Sequence, residues 1–243
     1  MEQNMSNQTK IIFTLFFLSL HLQAEEVYAT FTVQAEKSAN LAFISSGIVN
    51  DVLVDVASIV KEDDILAKLE NADLKAALDI AKTSLKYAKR DYERQVKVKK
   101  LVDASKFDAY AFKYESAKAQ MAYQEALLDK SILKAPFDGV IYEKSVEVGD
   151  VVSGAMIRTI FKIQSLEKRK LILAFDQKYW KLIKEGQTFK YSVDGDPKTY
   201  TGKISKVYPF ANSSNRKIIA EVKASYFTPG LFGEGYIVIP ETK

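Results

Sequence analysis

From Asn71 to about Ser131 the hydrophobic positions recur at alternating four- and three-residue steps. Leu74, Leu78, Ala81, Leu85, Ala88 and Tyr92 form one such stripe. Phe107, Tyr110, Tyr114, Ala117, Met121 and Leu128 form a second, with Gln124 as its polar intruder. The stretch is alanine-rich, has no Gly or Pro, and breaks only near Leu101 to Ser105. This stepping is the a/d seam of helices that pack lengthwise, so the stretch predicts an antiparallel helical hairpin. At 1.5 Å per residue, arms of roughly 25–30 residues reach about 40–45 Å, beyond the width of a small domain.

On either side of the hairpin the period changes from helical to alternating. Val27, Ala29, Phe31 and Val33 alternate with Tyr28, Thr30 and Thr32 as a strand would. The segment GIVNDVLVDVASIVKEDDILAKL, Gly47 to Leu69, sets short aliphatic pairs between Asp- and Ser-containing turns. LKAPFDGVIYEKSVEVGDVVSGA, from Leu133, has the same rhythm, with Gly139, Gly149 and Gly154 as punctuation. Each half is too small to bury a core alone, and together they predict one flattened β module. From Lys168 onward, about five further strands and a short helix, QKYWKLIKE, capped by Asp176 and closed by Gly186, predict a small antiparallel barrel. Trp180 is expected to anchor that helix in the barrel core.

Composition narrows the chemistry. The 243-residue chain is 47% apolar and 27% charged, as ordinary globular proteins are. A net charge of +4 is too mild to indicate nucleic acid. There is no Cys, and the single His is His21. Lys10, the apolar run Ile11 to Leu20 and the small residue Ala24 describe a secretory signal peptide over residues 1–24, the other reading being an uncleaved membrane anchor. The exported chain then has neither thiol nor imidazole, and no constellation proposes an enzyme.

The strings APFDG (Ala135–Gly139) and VGD (Val148–Asp150), in two β half-units split by a helical hairpin, resemble the biotinyl/lipoyl-type module of periplasmic adaptors, the membrane fusion protein family of tripartite efflux pumps. Ala57 and Asp63 depart from that pattern, standing where the family usually has Gly. The resemblance implies an α+β, mainly β fold. Its parts are a signal peptide (1–24), N-terminal strands forming a reduced membrane-proximal segment (25–42), a lipoyl-like β module in two halves (43–70 and 132–165), an inserted hairpin (71–131) and a β-barrel (166–243). Gly47, Gly139 and Gly149 are assigned to structural turns of the module. Plain relatives of the module carry a cofactor on a turn Lys, but Glu70-Asn71-Ala72-Asp73 has none, so no cofactor is expected.

The family's tip pattern is Arg, three residues, Leu, six residues, Ser. Arg94, Val98 and Ser105 fit that spacing, with Val for Leu. The resemblance implies docking of this tip, which also carries Lys97, Lys99, Lys100 and Lys106, on a TolC-type outer-membrane channel. Ser105 is also expected to cap the second helix. The simpler reading is a solvated charge, a packing residue and a cap. Further implied are a homo-oligomeric ring, a hexamer in the family, an inner-membrane transporter of the proton-driven resistance-nodulation-division type, and a periplasmic location. An ATP-driven exporter is the nearer alternative for the transporter. A periplasmic solute- or metal-binding protein is the alternative from another class.

Overall fold

In the computed structural model, residues 25–98 and 103–240 are described. The expected signal peptide and the middle of the hairpin turn, with Lys99 and Lys100, lie outside them. The described residues form two compact units, 25–34 with 168–240, and 35–98 with 103–167. Among the described residues the chain is mainly β, with one pair of long helices. Among the described residues no helix is long and apolar enough to cross a membrane.

The first unit is a closed six-stranded barrel. It contains β1 (Glu26–Ala35), β10 (Lys168–Asp176), β11 (Thr188–Val193), β12 (Tyr200–Asn212), β13 (Lys217–Ser225) and β14 (Phe232–Val238). The order around it is β1-β10-β13-β12-β11-β14. The alternation read in β1 holds, with Val27, Ala29, Phe31 and Val33 buried. Inside, Phe31 meets Phe189 and Tyr191 edge-on at 5.9 and 5.4 Å. Gly233 and Gly235 make room for these rings: a Cβ on Gly233 would lie 2.5 Å from Phe31 Cζ, and one on Gly235 2.8 Å from Phe189 Cζ.

Two expectations fail here. Residues 25–42 are not a segment apart, because β1 pairs with β14 as a stave of the barrel while β2 (Ser38–Leu41) belongs to the other unit. The helix expected over QKYWKLIKE is only a 3-10 turn, Gln177–Tyr179, although Asp176 does cap it by accepting from Lys178 N–H at 2.8 Å. The Gln187 amide takes over backbone groups a helix would use, donating to the Leu182 carbonyl at 2.8 Å and accepting from Lys184 N–H at 2.9 Å. Trp180 is therefore not a core anchor; it is 62% exposed.

The second unit holds two four-stranded sheets and the hairpin. Its strands are β2, β3 (Gly47–Val52), β4 (Ile59–Val60), β5 (Ile65–Leu69), β6 (Ile132–Lys134), β7 (Gly139–Lys144), β8 (Val151–Val152) and β9 (Phe161–Gln164). The sheets run β2-β9-β7-β4 and β6-β5-β3-β8. The halves exchange strands: β4 of the first joins β7 of the second, and β8 of the second joins β3 of the first. Neither half closes a core without the other, and the shared core includes Phe43, Leu66, Ile141, Phe161 and Ile163. The helices α1 (Ala72–Lys97) and α2 (Ala104–Asp129) lie between the halves in sequence.

Candidate functional site

The hairpin is built as its stripes predict. Leu78, Ala81 and Ala88 are buried, and Leu74, Leu85 and Tyr92 are half-buried. On α2 the half-buried positions include Phe107, Tyr110, Tyr114, Ala117, Met121, Gln124 and Leu128. Tyr92 stacks on Tyr114 at 5.3 Å and meets Phe107 at 5.7 Å, so aromatic contacts join the arms near the tip. Each arm has 26 residues, which corresponds to about 39 Å of helix.

At the root, Asn71 and Ser131 are both buried, 5% and 1% exposed. Asn71 occupies the N-cap position of α1, yet its side chain makes no cap bond. Its amide instead donates to the Ser131 hydroxyl at 3.1 Å, and that hydroxyl donates to the Leu128 carbonyl at 2.6 Å. Leu69 N–H donates to the Ser131 carbonyl at 2.9 Å. This polar clasp, which sequence reasoning missed, fixes the entry and exit of the hairpin side by side. Its one sequence signal is a small polar residue at each end of the helical run.

At the tip, Arg94 and Val98 lie at the end of α1 and Ser105 at the start of α2. Arg94 pairs with Asp91 one turn back and is 61% exposed. Val98 is the C-cap residue and 40% exposed. Ser105 is exposed but is not the cap. Asp103 is, its carboxylate accepting from Ser105 N–H at 2.9 Å and Lys106 N–H at 3.4 Å. An Asp immediately before an unbroken helical run signals this cap, and the Ser hydroxyl is released for other contacts. Lys97 and Lys106 are exposed.

Of the three glycines assigned to turns of the β module, one lies in a turn, Gly149. Gly47 and Gly139 open strands β3 and β7, and of the three glycines only Gly149 has a positive φ, 94°. Gly139 is required by close approach, since a Cβ there would lie 2.4 Å from the Gln164 carbonyl oxygen. At Gly47 the nearest atom would be Leu69 Cδ1 at 3.3 Å, so a side chain there meets only another side chain. The residues departing from the family pattern keep the turns regardless: Ala57 and Asp63 adopt φ of 69° and 68°. Ala57 N–H donates to the Ile141 carbonyl at 2.8 Å, and Gly149 N–H to the Val49 carbonyl at 2.8 Å. The returning bonds are Ile141 N–H to the Ser58 carbonyl and Val49 N–H to the Asp150 carbonyl, at 3.0 and 2.8 Å. The two halves thus hold each other by the same two-bond exchange at each turn. Lys144 adds a charge link, reaching Glu147 at 2.8 Å and Asp55 at 3.6 Å.

No family model matches the chain. A Haemophilus influenzae protein of uncharacterised function is 23% identical over 224 residues, which cover 88% of this chain and 58% of that protein. The chain therefore spans little more than half the length of this relative. Among solved structures, a MacA-MexA chimeric protein containing the Pseudomonas aeruginosa MexA α-hairpin domain superposes with a TM-score of 0.83 at 20% identity, covering 91% of this chain and 84% of that one. The membrane fusion protein Spr0693 from Streptococcus pneumoniae R6 superposes with a TM-score of 0.72 at 17% identity, covering 88% of this chain and 100% of its own. A paired-sheet unit interrupted by a long hairpin, with a barrel built from both sides of it in sequence, is the fold of the membrane fusion, or periplasmic adaptor, proteins.

Proposed function

We propose that this chain is a non-enzymatic periplasmic adaptor of an efflux system. It oligomerises into a ring and bridges an inner-membrane transporter to a TolC-type outer-membrane channel, so that drugs or other toxic solutes cross the periplasm without release. The observation that carries the reading is the hairpin, 26 residues an arm, inserted between β halves that cannot close a core separately. Such an insertion places a long arm on a fixed root, and its partner lies at the far end.

We read the paired sheets as a biotinyl/lipoyl-type module split by that hairpin, and the matching turns at Ala57 and Gly149 support this. Arg94, Val98 and Ser105 dock on the channel. Arg94 supplies a planar fork suited to carboxylates and backbone carbonyls. Val98 gives a small apolar knob, and the hydroxyl of Ser105, freed of capping by Asp103, is available to the channel. On the sequence resemblance the transporter is of the resistance-nodulation-division type and the chain is exported by a cleaved signal peptide.

Affinity capture of the full-length chain from detergent-extracted membranes of a Gram-negative host tests the reading. An inner-membrane transporter and an outer-membrane channel should come down with it after mild cross-linking. Recovery of the chain alone under those conditions would contradict it.

A further inference from the structure

The barrel unit carries a cleft that the adaptor reading does not use. It measures about 720 Å³, within the range of small-molecule sites. Its walls include Trp180, Tyr208, Phe210 and Ile218, and Gln177 and Lys178 supply polar groups. Trp180 and Phe210 are 62% and 59% exposed, a large apolar area to leave in water.

The cleft is formed by irregularities in two neighbouring segments. On β12 the register jumps between Val207, paired with Ala220, and Ala211, paired with Ile218. Tyr208, Pro209 and Phe210 stand there against Ile219 alone, and Pro209 has no N–H with which to rejoin the ladder. The bulge is held by the Tyr208 hydroxyl, which donates to Glu221 at 2.7 Å. Opposite it, the truncated 3-10 turn leaves Trp180 outside the core, and Gln177 N–H donates to the Arg216 carbonyl at 3.0 Å.

Charge selects the class of ligand. Lys178 is the one charged residue among the described residues lining the cleft, and Lys181 holds its ammonium 5.3 Å from the Trp180 ring centre. Aromatic walls with cations at the rim suit a flat apolar body bearing a negative group. We propose that this cleft is a binding site for small amphipathic organic anions, with the ligand's ring or chain between Trp180 and Phe210 and its acidic group at Lys178.

Trp180 is the chain's sole tryptophan, so its emission reports on the site directly. The full chain would be titrated with 1-anilinonaphthalene-8-sulfonate and, separately, with the neutral N-phenyl-1-naphthylamine. The expected result is saturable quenching of Trp180 by the sulfonate with one site per chain. The neutral probe should bind about tenfold more weakly, as the loss of one charge contact implies. Phe210→Ala should weaken both probes, and Lys178→Glu only the sulfonate; both side chains are exposed, and an unchanged melting temperature confirms folding of each variant. Non-saturable quenching, equal affinity for the two probes, or full affinity in Phe210→Ala overturns the proposal. So does a Trp180 emission shift on anionic phospholipid vesicles without any response to the free sulfonate, which would assign the surface to a bilayer.

Discussion

Ala57 and Gly149 occupy the same turn position in the two halves of the β module, both with positive φ and each donating its N–H to a carbonyl of the other half. A left-handed backbone costs an L residue with a Cβ about 1–2 kcal/mol, and glycine nothing. Ala57→Gly should therefore stabilise the unit by about 0.5–1 kcal/mol, the relief being partly offset by the greater freedom of glycine in the unfolded chain. Asp63→Gly should gain less, because Asp tolerates this region better. Gly149→Ala should lose about 1–2 kcal/mol. Urea midpoints of the three variants decide the matter, and an unchanged or lowered midpoint for Ala57→Gly would mean that the turn is not strained.

The clasp at the hairpin root gives a second prediction. Ser131→Ala leaves the buried Asn71 amide without its partner and should cost about 1–3 kcal/mol. Asn71→Ala combined with Ser131→Ala should cost less than the two single losses added together, because the orphaned group is gone. Chemical denaturation of the four proteins yields the coupling energy, and strict additivity would show that the clasp does not act as a unit.

At the tip, the ion pair separates a docking role from a local one. If Arg94 serves only Asp91, Arg94→Ala and Asp91→Ala should each cost about 0.3–0.5 kcal/mol of helix stability and behave alike in cells. The docking reading predicts that Arg94→Ala, and also Arg94→Lys with its single ammonium, lower tolerance to exported compounds while Asp91→Ala does not. Growth inhibition assays on strains carrying each variant make the distinction.

One hydrogen bond in the barrel sets a pH dependence at both ends of the scale. The Tyr200 hydroxyl donates to Asp196 at 2.7 Å. This bond, then the N–H of Lys198, holds the Asp196 carboxyl below its ordinary range, and the same bond raises the Tyr200 phenol. A carboxyl lowered on folding adds stability above its unfolded value, about 4, that is lost as pH falls through the folded value. A phenol raised on folding adds stability below about 10 that is lost as pH rises through its folded value. Tyr200→Phe should move the Asp196 titration upward and flatten both flanks; carbon-13 NMR of the carboxyl would contradict this if the titration stayed in place.

How much of this was legible in the sequence follows the range of the interactions. The hairpin stripes could be read because helix packing repeats every few residues, and each stripe position is at least half-buried. The β alternation of Val27 to Val33 was equally local, but the strand's partners are not: β1 pairs with β14 at the far end of the chain, and so its membership of the barrel was missed. Trp180 misled because an apolar pattern cannot reveal that the Gln187 side chain competes for the helix's backbone groups. Ser105 misled for a similar reason: Asp103 stands two residues earlier, and its carboxylate takes the cap that the Ser105 hydroxyl was expected to make. The Gly47 and Gly139 assignments treated glycine as turn chemistry, whereas Gly139 serves close packing against Gln164.

Photo-cross-linking in intact cells tests the adaptor reading most directly, with the probe placed in turn at Ser105, at Arg94 and, on the barrel, at Lys203. The account predicts that the probes at Ser105 and Arg94 trap an outer-membrane channel and the probe at Lys203 does not. Tip probes that trap nothing, or only further copies of this chain, would contradict channel docking and leave the hairpin as an oligomerisation arm.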